Sequence, residues 1–238
     1  LRGAVGARLV VLDNLYMYEP TDKALREDTP MNPTTHKGEL RARVRRALFD
    51  AHARGDVVAT SGHASDYFGP GATSAAVFGA RFFARLARGQ SVEVFGDPDL
   101  PRSYSFMPDV AAGLAVLGSR PEAAGQAWHL PVPDSGTTRA LIENFAAALL
   151  RPAKLRVVPA WMLRVIGVFA PPIGAFIEML PQWQRPFVVD DSRFRHTFGV
   201  DATPLGVAVA QTLADVLPER GSRNASVDTT APAAPRAR

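Results

Sequence analysis

A lysine that opens a helix, and two tyrosines on the loop before it, are the residues of this chain best suited to moving a proton. Lys37 lies in THKGELRARVRRALF, where a cation at a helix N-terminus stands against the helix dipole. That placement makes sense if the ammonium serves a cofactor ribose or lowers the pKa of a neighbouring phenol. An exposed lysine on a loop is the plainer reading. Asn14, Tyr16 and Tyr18 follow the apolar run RLVVL, in NLYMYEP. Open α/β sheets bind ligands just past the carboxyl ends of their strands. Aromatic anchors that only cover the sheet edge would give the same pattern.

A second group of candidates comes from SGHASDYFGPGA. Its glycines and proline predict a tight turn after a strand, with His63, Ser65, Asp66 and Tyr67 displayed at one rim. His63 and Asp66 have no convergent third ligand, so no metal site is expected. No serine sits on a strand-to-helix elbow, which argues against a serine nucleophile. Further along, GDPDLPRSYSFMPDVAAGL carries Arg102 past a turn rich in aspartate and proline. The planar guanidinium suits bidentate binding of a phosphate, with a surface arginine as the alternative. Asp109 opens the next helix, where it can accept bonds from free backbone amides.

These residues need a scaffold, and the hydrophobic pattern supplies one. Strands are predicted at Arg8 to Leu12, VVAT, SVEVFG, AWHLPV and KLRVV, the first as a run buried on both faces of a parallel sheet. Helices are predicted from about Gly38 to Ala53, Ser74 to Arg88, Pro108 to Leu117 and Thr137 or Thr138 to Leu150. Three more follow, at Trp161 to Val168, Gly174 to Leu180 and Pro204 to Leu217. In the first helix Leu40, Val44, Ala47, Leu48 and Ala51 form the expected buried stripe, with the arginines mostly facing away. Alternating strands and helices define an α/β fold, with a later half that is a mixed lobe.

With 238 residues and an apolar share of 47%, the chain can bury a sizeable core. The absence of cysteine excludes disulfides and thiolate chemistry. No secretory signal is evident and the apolar stretch Val165 to Ile177 is too short to span a bilayer, so a soluble, cytoplasmic protein without a membrane partner is expected. The net charge of +4 is concentrated in the last nineteen residues, which hold four arginines against one aspartate and read as disordered. The arginine-rich helix face from Arg41 to Arg46 has no interleaved aromatic platform, so no nucleic-acid partner is expected.

Taken in order, the segments resemble the extended short-chain dehydrogenase/reductases, the NAD-dependent epimerase/dehydratase proteins that act on nucleotide sugars. RLVVLDNLYMYEP is similar to that family's strand and serine-rich loop, and THKGE to the end of its Tyr-x-x-x-Lys segment. HASDYFGPG is similar to its Arg-Pro-x-Asn-x-Tyr-Gly-Pro loop, and RSYSFMPDVAAGL to its arginine-to-Asp-Val-Ala segment. TTRALIE and DDSRFRHTFGVDATPL fit its C-terminal end.

The resemblance implies part of a Rossmann-like parallel sheet with helices over 1–70, a smaller mixed α/β substrate lobe over 71–218, and a tail over 219–238. It implies NAD or NADP as cofactor and a small-molecule substrate such as a nucleotide sugar, and it is compatible with a homodimer. Lys37 would be the catalytic lysine that also holds the nicotinamide ribose, and Asn14 falls where the catalytic serine or threonine stands. Ala64, with His63 beside it, would face the cofactor; Asp66, Tyr67 and Arg102 would face the substrate, Arg102 on its phosphates.

Three departures change what can be expected. The catalytic tyrosine position, four residues before the lysine, is Pro33, which leaves Tyr16 and Tyr18 as the candidate proton donors. His63 and Asp66 stand where the family offers arginine and asparagine, and a carboxylate there disfavours a phosphate-bearing substrate. No G-x-x-G-x-x-G or G-x-G-x-x-G follows a first strand, because the glycines of LRGAVGARLV precede it. The resemblance therefore implies a stretch beginning near the family's fifth strand, poor at holding NAD alone and with an exposed sheet edge. A non-catalytic ligand-binding or sensing protein on the same fold is the alternative expectation.

Overall fold

The computed structural model describes residues 7–72, 78–163 and 177–217. Strand β1 (Arg8–Asp13) leads through a long loop to helix α1 (His36–Ala53), and strand β2 (Val58–His63) returns parallel to β1. Thr35 caps α1 by accepting from the Gly38 amide at 3.0 Å, which is why TTHKGE begins a helix there. Past β2 come β3 (Asp66–Phe68), α2 (Ala80–Ala87), β4 (Val92–Phe95), β5 (Tyr104–Phe106), α3 (Met107–Ser119) and β6 (Ala127–His129). Helix α4 (Thr138–Ala148), β7 (Leu155–Val158), a 3₁₀ turn (Leu180–Gln184), α5 (Ser192–Phe198) and α6 (Leu205–Val216) complete the described elements.

All the paired strands are parallel. The main sheet has the order β1-β2-β6, while β3 pairs with β5 and β4 with β7. Parallel neighbours require crossover connections, and here α1 links β1 to β2 while α3 links β5 to β6. Two large apolar clusters hold the layers together. One gathers Phe68, Phe78, Phe83, Tyr104, Phe106 and Phe145; the other packs Trp128 and Leu130 against α3 and against Phe194 and Phe198 of α5. A third, smaller cluster of Leu15, Met17, Tyr18, Leu25 and Val189 fastens the β1–α1 loop to the C-terminal segment.

Several sequence expectations are corrected. β1 is not buried on both faces, since Leu9 and Leu12 remain 42% and 37% exposed; among the described residues its one strand neighbour is β2. The expected stripe on α1 is outward: Leu40 and Val44 are exposed, and the buried positions are Gly38 and Ala42. Small residues let the helix sit close to the sheet, so the bulky apolar positions are left on the far side. SGHASDYF is not a displayed turn, because β2 runs on to His63 and β3 begins at Asp66. His63 and Ser65 are accordingly buried. Helix α2 is described only from Ala80, and most of the expected helices Trp161 to Val168 and Gly174 to Leu180, with the tail, lies outside the described residues.

Candidate functional site

The β1–α1 loop is bent by its own side chains. Asp13 Oδ1 accepts from the Asn14 amide at 2.8 Å, and Asn14 Oδ1 accepts from the Tyr16 amide at 3.0 Å, an Asx turn that reverses the chain at the carboxyl end of β1. Asn14 is thus a turn-former here. The turned loop presses on the first turn of α1 at Gly38, where a Cβ would collide with the Tyr16 carbonyl oxygen and lie 2.5 Å from Pro33 Cβ. The lysine-bearing end of α1 and the Tyr16 backbone are therefore in direct contact. The Lys37 amide donates to Glu178 Oε1 at 2.8 Å, tying that end to the segment before the 3₁₀ turn.

Between this loop and the C-terminal segment lies a cavity of about 320 Å3. Tyr16, Tyr18, Gln182 and Phe187 border it. Its charged lining consists of Glu19, Glu178 and Arg185. Tyr16 is half-buried; burial first, and then the nearby Asp66 carboxylate, push its phenol up to about 12. A phenol with that pKa stays protonated at neutral pH and serves as a hydrogen-bond donor rather than a base.

Beside Tyr16 sits an ion pair. Arg102, 4% exposed, donates from one terminal nitrogen to Asp66 Oδ2 at 2.5 Å and from the other to the Gln182 carbonyl at 3.2 Å. Its guanidinium lies 3.5 Å from the centre of the Trp183 ring and 4.9 Å from that of Phe187. The Trp183 segment reaches this position because Gly96, at φ +64°, offers no side chain to collide with the Trp183 backbone. Among the described residues the buried Arg102 Nε has no hydrogen-bond partner. Tyr67 lies alongside, half-buried, its phenol raised by burial and by Asp66.

Tyr18 has a different fate from Tyr16. It is 5% exposed, and its hydroxyl meets His129 Nε2 at 3.0 Å, His63 Nδ1 at 3.3 Å and an Arg45 terminal nitrogen at 2.9 Å. Burial holds both histidines below the usual imidazole pKa, with their mutual repulsion adding to the shift on His63. Neutral rings admit one proton assignment. His129 Nδ1 meets the Asp190 carbonyl, which only accepts, so that nitrogen carries the proton and Nε2 accepts from the Tyr18 hydroxyl. The Tyr18 oxygen then accepts from His63 Nδ1–H and from Arg45, while His63 Nε2 accepts from the Ser61 hydroxyl at 3.0 Å.

These contacts place three of the expected site residues inside the fold. The Tyr18 hydroxyl is engaged by His63 and His129, which do not border the cavity. His63 has both ring nitrogens bonded inside the sheet and offers nothing to a cofactor. Ala64 is 1% exposed and its amide donates to the Asp13 carbonyl. Of the expected cofactor residues, Lys37 alone is half-exposed. Tyr16, Tyr67, Asp66 and Arg102 do come together.

The sequence did not single out Arg45, His129, Gln182 or Arg185. His129 carried a legible signal, an imidazole inside the apolar strand AWHLPV, which calls for a buried partner. Gln182 and Arg185 carried none, because only tertiary folding sets Gln182 against Tyr16 and brings Arg185 to the same cavity. Among the described residues no cluster of three or more histidine, aspartate or glutamate side chains could hold a metal ion, and no helix is long and apolar enough to cross a membrane.

No protein-family model matches the sequence, and comparison with curated proteins gives no match. Solved structures do match in fold. UDP-glucuronic acid 4-epimerase from Bacillus cereus, in complex with UDP-glucuronic acid and NAD, superposes with a TM-score of 0.70 at 12% identity over 88% of this chain and 61% of its own. RMD from Pseudomonas aeruginosa, complexed with NADPH, gives a TM-score of 0.65 at 16% identity over 87% of this chain and 65% of its own. A dTDP-glucose 4,6-dehydratase from Bacillus anthracis in complex with NAD gives 0.66 at 11% identity over 87% and 61%. The chain has the Rossmann-like α/β fold of these epimerase and dehydratase structures and spans less than two thirds of their length.

Proposed function

We propose that this chain supplies the substrate-binding part, and the lysine-bearing helix, of a nicotinamide-dependent oxidoreductase of the sugar-nucleotide epimerase, dehydratase or reductase type. The observation that carries this reading is the cavity between the β1–α1 loop and the 178–187 segment, with Tyr16 bordering it beside the Asp66–Arg102 pair. Tyr16 and Gln182 would hold hydroxyls of a small polar substrate, and the hydrocarbon wall of Phe187 and Met179 would take its apolar face. NAD or NADP would supply hydride transfer when bound, with Lys37 the residue of this chain that would reach its ribose.

A second reading, ligand binding without turnover on the same fold, is favoured by the proton chemistry. Pro33 stands four residues before Lys37, Tyr16 is held protonated, and the Tyr18 hydroxyl is engaged elsewhere. Titration with UDP-glucuronic acid, followed by saturation-transfer NMR, tests the shared part of both readings, and Tyr16→Phe should weaken that binding several-fold. NADH fluorescence with and without the ligand separates the two: enhancement that Lys37→Ala removes supports the oxidoreductase. Absence of ligand binding in the unmodified chain would refute both.

A further inference from the structure

The geometry points to His129 as a positioning residue: it clasps the two walls of the cavity, so that a proton taken up at its Nε2 releases the bound ligand. The inference rests on the reading above that this cavity takes the substrate, and it adds how that site is regulated.

His129 stands on β6 and does not border the cavity, yet each of its ring nitrogens holds one wall. Nε2 accepts from the Tyr18 hydroxyl at 3.0 Å, and Tyr18 borders the cavity with Leu15 and Leu25 of the same loop. Nδ1–H donates to the Asp190 carbonyl at 3.2 Å, a short way past Phe187 of the opposite wall. The His129 amide adds a third tie, donating to Glu27 Oε1 at 3.0 Å. Loop and C-terminal segment also meet directly, the Leu25 amide donating to the Val188 carbonyl at 2.7 Å, a bond without a titratable group.

The clasp works in one protonation state only. The Tyr18 oxygen has two lone pairs, taken by His63 Nδ1–H and Arg45, and one proton, given to His129. A proton on His129 Nε2 sets a third donor against that oxygen and leaves the phenol proton without an acceptor. A second proton on His63 falls instead at Nε2, against the Ser61 hydroxyl, which can turn to accept it while the Tyr18 contact survives.

The surrounding charges decide which ring is protonated first. Burial disfavours the cation on both. On His63, His129 and then Arg45 of α1 add to that effect. On His129, Glu27 of the loop and Asp190 of the C-terminal segment act the other way, against Arg45. Asp28 completes the charges facing Tyr18. His129 is therefore the ring that acid reaches first, and it is the ring whose proton opens the clasp. Since binding needs His129 neutral, affinity is full above the ordinary imidazole value of about 6.5 and falls as pH drops through the lowered folded value.

UDP-glucuronic acid, whose own charge is constant between pH 7.5 and pH 5, is the probe, titrated into the full chain by saturation-transfer NMR at both ends of that range. The unmodified chain should bind at least about fivefold more weakly at pH 5, one proton being linked to the ligand. His129→Gln, whose amide oxygen accepts from Tyr18 without titrating, should hold that ratio below about twofold. His63→Gln should keep the step, and its loss there too would overturn the assignment to His129. Circular dichroism reports whether each chain is folded at both pH values. Equal binding at both pH values in the unmodified chain would overturn the inference, as would an undiminished step in folded His129→Gln. Should that variant not fold, ring NMR of the unmodified chain decides: the Tyr18 signals must shift as His129 titrates, and an unmoved Tyr18 overturns the clasp. If UDP-glucuronic acid binds at neither pH while Tyr18 follows His129, the substrate reading falls and the clasp stands.

Discussion

Replacing Tyr18 by phenylalanine isolates one oxygen atom on which three elements converge. The ring keeps its packing against Leu15, Met17 and Leu25, so the transfer and cavity contributions to stability change little. What is lost is the acceptor for His63 Nδ1–H, the donor to His129 Nε2 and one partner of Arg45. Arg45 keeps the Glu27 carbonyl at 3.2 Å and some access to water, so its loss is minor. The two ring nitrogens lie on residues with no exposed surface and have no other partner within the network. At about 1–3 kcal/mol for each buried group left unsatisfied, Tyr18→Phe should cost about 2–5 kcal/mol. That is a large share of the roughly 5–15 kcal/mol by which a domain is stable. Retautomerising His63 gives no escape, since it turns the unmet donor into an unmet acceptor. Urea unfolding followed by circular dichroism measures the difference, with Tyr16→Phe as the comparison expected to lose less than about 1 kcal/mol. A loss below about 0.5 kcal/mol for Tyr18→Phe would refute the proton assignment and the claim that this hydroxyl braces the sheet.

Two further outcomes follow from the same packing. Gly38→Ala places a methyl group against backbone and the Pro33 ring, neither of which can swing away, and should cost about 1–3 kcal/mol in the same unfolding assay; because it also shifts the Tyr16 loop, ligand affinity should fall with it. Acid should weaken the fold through His63 and His129, whose folded pKa values lie below the unfolded value of about 6.5. Below that value the unfolded chain binds protons the folded chain refuses, so stability is complete above about pH 6.5 and falls as pH drops. The slope approaches about 2.7 kcal/mol per pH unit while both rings stay neutral in the folded state. Thermal melts between pH 7 and pH 5 measure this, and a flat profile would contradict the buried neutral pair.

The amino-acid sequence by itself determined the α/β class and most element positions, because those depend on local periodicity and caps. Thr35 and Thr137 begin helices by accepting from amides three residues on, and β-branched runs mark the strands, all within a few residues of chain. It also determined that Pro33 carries no proton. Tertiary structure decided which of the two loop tyrosines buries its hydroxyl among histidines. Tyr16 and Tyr18 look alike in NLYMYEP, and only the approach of His63 on β2 and His129 on β6 draws the Tyr18 hydroxyl inward. It decided the outward turn of Leu40 and Val44, since helix periodicity fixes that a stripe exists but not which side meets the sheet. And it decided the state of Arg102. Asp66 lies thirty-six residues earlier in the chain, and the parallel pairing of β3 with β5 is what sets that carboxylate against the guanidinium.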